Sequence, residues 1–475
     1  MGTRQHKAVK ITRAFICMMP MFAIVAMTVI FVGEAGAETY TWSGGGAPDG
    51  GWSTSSNWSS GTPVSASDSD VVFGTVTGAS AENNIANPFQ LRTLTFSAGA
   101  GAFTLGGWPL TIAGAVTNNA SSPQTINNAI TLGANSIWNT ATGNVSVAGG
   151  ISGGSFTLVK SGTGTLTISG DNSFILPGYA GIAGGVLMFS GGSFTNLATG
   201  TGDVGLRMPF GAVGTTLIVT NGAKYFSPVQ TSDKYARFSR ADSTLVVAGG
   251  GSIWNNGSDV IVLDYANGRL FVTDGGGITN TARVFIGFGS NVTSNRLLIT
   301  KGGKINTAAN GVNYLGYSTG SSWNSVYLGG TNAVTGAKSV WNMGGGSSSL
   351  SVGASTSGAN YNSVTVDAGG VLTNGLLVIG SNSGAIGNSL VITNGGQVYG
   401  MANASYVGSG GAYSTGWVGG ANPVTGEKST WDIGSSLIVG GSGNSNLLTV
   451  AQNGLVTNIV GNGFKLGDSA GSSYN

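Results

Sequence analysis

Hydrophobic and polar positions alternate along this chain in short runs, with a period of two. After residue 200 the apolar pairs recur as Leu217/Val219, Leu245/Val247, Leu270/Val272, Leu297/Ile299, Val326/Leu328, Val364/Val366, Leu390/Ile392 and Leu448/Val450. Their spacings are 28, 25, 27, 29, 38, 26 and 58 residues, the last read as two units of 29. Such alternation is the mark of a strand with one buried side. A hydrophobic residue followed by glycine precedes most copies, as in Ile286-Gly287, Leu315-Gly316, Val352-Gly353, Ile379-Gly380, Val407-Gly408, Val439-Gly440 and Leu466-Gly467. A glycine pair follows most of them, as in Gly302-Gly303, Gly369-Gly370 and Gly395-Gly396. The predicted unit is a short strand ending in glycine, a polar turn, an alternating strand, a Gly-Gly turn and a third short strand. That is one coil of a parallel β-solenoid. At about 4.8 Å per coil, some 16 coils make a rod of about 75 Å.

Asn295, Asn362, Asn388 and Asn446 each stand two residues before a core strand. Stacking either builds them into a hydrogen-bonded amide ladder or leaves them as ordinary turn formers. A longer repeat is superimposed. Thr331 to Asn342 (TNAVTGAKSVWN) returns 90 residues later as Ala421 to Asp432 (ANPVTGEKSTWD), a decorated coil at every third unit. Residues 38–75 hold Trp42, Trp52 and Trp58 in a Ser/Gly-rich setting. Their expected task is to cover the open end of the first coil, with carbohydrate stacking as the sharper alternative.

Composition agrees. The chain has 475 residues, 85 of them glycine, with 41% hydrophobic and only 8% charged. Gly, Ser, Thr and Asn disfavour helix interiors, and ten prolines without a three-residue glycine period exclude collagen. Recurrent Val, Leu, Ile and aromatics argue against disorder. The expected class is all-β.

The N-terminus changes the charge account. Arg4, Lys7, Lys10 and Arg13 precede an apolar run from Ala14 to Val32, and Ala35-Gly36-Ala37 supplies a small-x-small cleavage pattern before Glu38. Residues 1–37 are read as a signal peptide for the general secretory route. The 19-residue run is long for that purpose, so an uncleaved anchor is the alternative. Removing Arg4, Lys7, Lys10, Arg13 and Glu34 from totals of 19 basic and 17 acidic residues leaves 15 and 16. His6 and Cys17, the only histidine and cysteine, depart as well. A near-neutral mature chain gives no reason to expect nucleic acid. Without cysteine or histidine it offers no disulfide and no Cys/His metal site. No cofactor is expected.

Leu158-Val159-Lys160-Ser161-Gly162-Thr163-Gly164-Thr165-Leu166-Thr167-Ile168-Ser169-Gly170-Asp171-Asn172-Ser173-Phe174, followed by Gly184-Gly185-Val186-Leu187, closely resembles the autotransporter-associated β-strand repeat. The opening Thr41-Trp42-Ser43-Gly44-Gly45, then Gly51-Trp52-Ser53 to Asn57-Trp58, then Asp68-Ser69-Asp70-Val71-Val72-Phe73-Gly74, is similar to the start of many exported repeat proteins of that type. The resemblance is strong over residues 39–198 and looser beyond. It implies a right-handed parallel β-helix at or beyond the outer membrane, often adhesin-like. The segments expected are 1–37 signal peptide, 38–75 cap, and 76–200 coils of the autotransporter-associated type. Residues 201–475 form an array of repeat units of about 27 residues each. The family's C-terminal barrel or sorting helix is not recognisable before Asn475, where the sequence stops in mid-unit, as a truncated frame or fragment does. The membrane is then met only through the export signal.

Chemical motifs fare poorly against the repeat. Gly467-Asp468-Ser469-Ala470-Gly471 and Gly316-Tyr317-Ser318-Thr319-Gly320 fit Gly-x-Ser-x-Gly but fall at the same repeat corner, with no histidine to serve as base. Gly420 to Ser429 has the wrong spacing for a phosphate loop. Glycosidic catalysis needs two convergent carboxylates, and the 13 Asp and three Glu of the mature chain are scattered in turns. Asp68 and Asp70 fall short of a calcium shell. One charged, aromatic run stands out between residues 224 and 242, with Lys224, Tyr225, Lys234, Tyr235, Arg237, Phe238 and Arg240 as candidate ligand-binding residues for an acidic glycan, or as a solvated insertion. The expected function is a secreted or cell-surface, non-enzymatic, adhesin-like scaffold that meets extracellular glycans, matrix or cell surfaces. A carbohydrate-active β-helix enzyme and a spacer for a missing module are the alternatives.

Overall fold

The computed structural model describes residues 38–475 except 179, 199–209, 227–234, 239, 258–259, 309–310, 356, 402, 462 and 470–471, and except the side chains of Tyr235 and Asn280. Residues 1–37, Asp233, Lys234 and Asp259 therefore lie outside the described residues. The strands stack in parallel as three faces of a β-solenoid. The second face holds fifteen strands, from Ser80–Asn83 to Leu447–Ala451, a rise of about 70 Å at the usual strand spacing. The third face runs from Phe89–Leu91 to Leu455–Thr457. The first face begins with Thr39–Trp42 paired to Asp70–Phe73 and is carried through single bridges from Lys160 to Ile182 and from Ile182 to Phe210. It resumes as nine strands from Tyr235–Phe238 to Phe464–Leu466. Ile151–Ser161 turns a corner, pairing with Ile130–Leu132 on the third face and with Ser136–Thr140 on the first.

Alternation builds the core. On the second face Leu217, Leu245, Leu270 and Leu297 stand in register with Val219, Val247, Val272 and Ile299 beside them, all buried. Two features of the period differ from the sequence reading. The interval of 58 divides as 26 and 32, because Gly416 occupies the leucine position between Leu390 and Leu448. The N-terminal half is also more regular than its sequence looks, and its coils are shorter. Leu105, Ile126, Val147, Ile168 and Phe189 stack in register at one constant interval.

The asparagines form a ladder. In Asn295, Asn324 and Asn362 the backbone N–H and Nδ2 both donate to Oδ1 of the next coil's asparagine, at 2.9–3.1 Å. Asn388 ends this run by donating from Nδ2 to Ala359 O at 3.0 Å. Ser414 interrupts the column, and Asn446 resumes it with Asn475. Gly287, Gly316, Gly353 and Gly408 are the complement. A Cβ on Gly316 would lie 2.3 Å from Asn362 Nδ2, and one on Gly408 2.1 Å from Asn446 Cγ. The glycine that ends each first-face strand makes room for the amide of the coil that follows.

The tryptophans close the first coil. Trp42, Trp52 and Trp58 are buried and meet edge-on at 5.1 and 5.7 Å, with Trp58 Nε1 donating to Trp52 O. Rings so enclosed have no free face for a sugar. At the other end, Val450 and Leu466 are 47% and 59% exposed, because no coil covers them.

Asn362→Ala leaves the buried N–H of Asn324 without an acceptor and its Nδ2 with Ser321 Oγ alone, at a cost of about 1–3 kcal/mol in urea unfolding. Gly316→Ala is destabilising for a reciprocal reason, a methyl driven into Asn362. The double variant loses less than the two single losses combined, since the clash needs the amide. Strict additivity in that cycle contradicts the coupling.

Candidate functional site

Among its described residues, the segment singled out by composition does not gather its side chains at one surface. Lys224 is exposed on the third face, within Lys224–Phe226. Tyr225 points inward between Phe189 and Phe194, and burial pushes its phenol pKa up. Phe238 is likewise fully buried. Both aromatics follow the inward phase of their strands, so they are core and have no surface to offer a ligand. Tyr235 pairs through its backbone with Val260, Arg240 sits in the following turn, and Lys234 is not described. Arg237 reaches a built environment. It faces outward on the first face, 3.5 Å from Asp264, with its guanidinium 5.7 Å from the Phe288 ring centre.

Phe288 belongs to an aromatic patch that local composition did not reveal. It stacks on Phe285 at 5.3 Å and on Tyr317 at 4.9 Å, and Tyr314 meets Tyr317 edge-on at 4.6 Å. Val260 and Val262 are buried beneath the rings although they face outward. The signal lay in Val260-Ile261-Val262-Leu263, where alternation fails because both sides of the strand are covered.

The two copies of the long repeat are hairpin arms. Thr331 bridges antiparallel to Lys338, and Ala421 to Lys428. Each arm lies back over the Gly-Gly corner of the preceding coil: a Cβ on Gly395, whose φ is +82°, would sit 2.6 Å from Asn422 Cβ. The arms are clasped to each other, Lys338 Nζ donating to both oxygens of Glu427 at 2.7 and 2.8 Å. Their tips, Val334 and Val424, are 93% and 91% exposed. The residues that looked like a phosphate loop build this arm.

Lys160 is a perturbed basic group. It occupies an inward position on the first face, fully buried, and donates to the carbonyls of Ser161, Gly162 and Gly184 at 2.8–2.9 Å. Burial lowers its pKa to about 8. A shifted lysine is a candidate catalyst when it lines a cleft, but here backbone oxygens consume all three of its donors. Asp70 is likewise engaged. Burial raises the Asp70 pKa, but hydrogen bonds from Arg92 and Thr93 outweigh it and leave it lowered. Ser318 donates its hydroxyl to Phe288 O. Among the described residues no three His, Cys, Asp or Glu side chains gather to hold a metal.

No protein-family model matches the chain, and no curated protein and no solved structure matches it.

Replacing Lys160 by Met removes one donor from each of three carbonyls and lowers stability at neutral pH by about 1–3 kcal/mol. The folded-state pKa lies below that of a free lysine, so between pH 8 and about pH 10 the unfolded chain binds more protons and wild-type stability rises with pH. The gap between wild type and Lys160→Met therefore widens over that window in thermal melts, and a constant gap contradicts the lowered pKa. The clasp behaves differently. Its side chains are 39% and 34% exposed, so Glu427→Ala changes global stability by under about 1 kcal/mol. Its measurable effect is faster proteolytic cleavage within residues 331–338.

Proposed function

We propose that this chain is an exported, non-enzymatic rod that serves as an adhesin-like scaffold on a cell surface or in extracellular matrix. The stack of parallel coils is a structural repeat scaffold. The observation that carries the further step is the duplicated arm. Two copies of one hairpin, three coils and thus about 14 Å apart, present the same apolar tip on one edge of the rod. Repetition of a weak contact at fixed spacing raises avidity without any strong single site. The basic head, apolar run and Ala35-Gly36-Ala37 support export, as does the resemblance to autotransporter-associated repeats. Glycans, matrix components and opposing cell surfaces are the partners this reading favours.

The engagement of the carboxylates supports the non-enzymatic reading. Asp70, Asp264, Asp274, Glu427 and Asp468 each pair with a cation. A glycosidic mechanism needs two carboxylates facing one substrate.

Protease shaving and surface biotinylation of intact producing cells test location, and attachment of cells with and without the gene tests function. The expected result is an externally accessible chain whose loss reduces attachment severalfold. A chain confined to the cytoplasm overturns the reading, and so does turnover of a polysaccharide by the purified protein.

A further inference from the structure

The ladder imposes a backbone conformation on the residue before each of its members. Ser294, Trp323, Tyr361, Gly387, Tyr413 and Ser445 precede the ladder column, and all have φ between +53° and +67°. Glycine and asparagine accept this left-handed region readily, whereas a bulky side chain there is strained. Yet three of the six are large aromatics, and they are exposed: Trp323 61%, Tyr361 46% and Tyr413 61%. Strain retained at solvent-facing positions points to a use for the side chains, since packing does not call for them.

Their arrangement is that of a platform. Trp323 and Tyr361 stack at 4.4 Å with 19° between their planes. The Tyr361 ring extends toward the following coil, where a Cβ on Gly387 would lie 2.7 Å from its Cδ1. That coil therefore carries no side chain at this corner, and Tyr413 continues the line one coil further. On the other side of Trp323 the column has only Ser294, so no aromatic ring takes the second indole face. Trp323 and Tyr413 are 90 residues apart, the period of the hairpin arms, so ring and arm recur together.

The surroundings state the ligand's charge. The turns 287–294, 316–323, 353–361, 380–387, 408–413 and 440–445 contain no Lys, Arg, Asp or Glu. They present Ser, Thr, Asn and Gly around the rings. The charges placed beside them, Arg237 and Asp264 at Phe288, are paired with each other, so the turns themselves offer neither an anionic nor a cationic polymer a counter-charge. Aromatic faces flanked by neutral hydroxyls and amides suit the apolar C–H faces and hydroxyl groups of sugars.

The geometry points to a binding ridge for a linear, uncharged polysaccharide, laid along the rod over Trp323, Tyr361 and Tyr413. This rests on the reading of the chain as an extracellular scaffold, and it names a ligand class and a site which that reading leaves open.

Affinity electrophoresis and pull-down of the purified full chain, with cellulose, chitin, mixed-linkage β-glucan and mannan as neutral probes and alginate and pectate as acidic ones, test it. The wild type is expected to bind at least one neutral polymer, equally in 0.15 M and 1 M NaCl. The triple variant Trp323→Asn, Tyr361→Asn, Tyr413→Asn is expected to bind at least tenfold more weakly. Its melting temperature should be no lower than that of the wild type, because asparagine suits the left-handed backbone. Arg237→Ala, on the neighbouring face, is expected to bind as the wild type does. Binding to no neutral polymer overturns the proposal, as does unchanged binding by the triple variant, or retention by acidic polymers alone that vanishes in 1 M salt. A chain that reaches the surface and supports attachment but ignores neutral polymers removes the ridge and leaves the scaffold reading intact.

Discussion

The C-terminal coils depend on one coupled contact, a buried asparagine amide seated over a glycine of the preceding coil. The asparagine's backbone N–H and its side-chain amide each donate once to the asparagine of the next coil, and the glycine leaves the space in which the amide sits. Neither residue works alone. A side chain at the glycine pushes the amide off its acceptors, and without the amide the buried backbone N–H before it is orphaned. Because Asn324 and Asn362 both give and receive, the contact fixes the coils from Asn295 to Asn388 against one another. It also bends the chain into the left-handed region one residue earlier. The exposed corner where the aromatics stand is a geometrical consequence of the ladder.

The N-terminal coils also cap backbone N–H groups with side-chain amides, and one of them adds a lysine. Lys160 spans the turn with three charge-assisted hydrogen bonds to carbonyls of its own and the next coil. Its depressed pKa reports the burial that makes those bonds strong. Beyond it the rings of Trp42 and Trp52, each edge-on to Trp58, shut the end of the core. The change from short N-terminal coils to longer C-terminal ones lengthens the turns, where the arms and the exposed rings are carried. In the C-terminal coils the strands and ladder hold position, and corners vary.

Much of the fold was legible in the sequence. Period-two alternation, glycine at two corners and a recurring unit length lead to a parallel solenoid, and asparagine at one position suggests a ladder. The N-terminal tryptophans were legible as a cap because an open end requires one. Where the reading slipped, the reason was substitution within a fixed geometry. Gly416 hid a coil by standing where leucine was expected, and the shorter N-terminal period was hidden because its short strands share no Leu-x-Val signature. Asn324 occupies the ladder like its neighbours but precedes a Val-x-Leu core.

The candidate sites divide differently. Sequence alone determined which residue types were available: almost no histidine or cysteine, few carboxylates and an excess of small polar side chains. It also marked the 224–242 run as unusual. Only the tertiary structure decided which of those residues face water, because inward and outward phase depends on where each strand enters the stack. That phase buried Tyr225 and Phe238, left Arg237 against Phe288, and set Trp323, Tyr361 and Tyr413 in one line. Residues far apart along the chain become neighbours there only after coils of unequal length are stacked, and no local pattern records that adjacency.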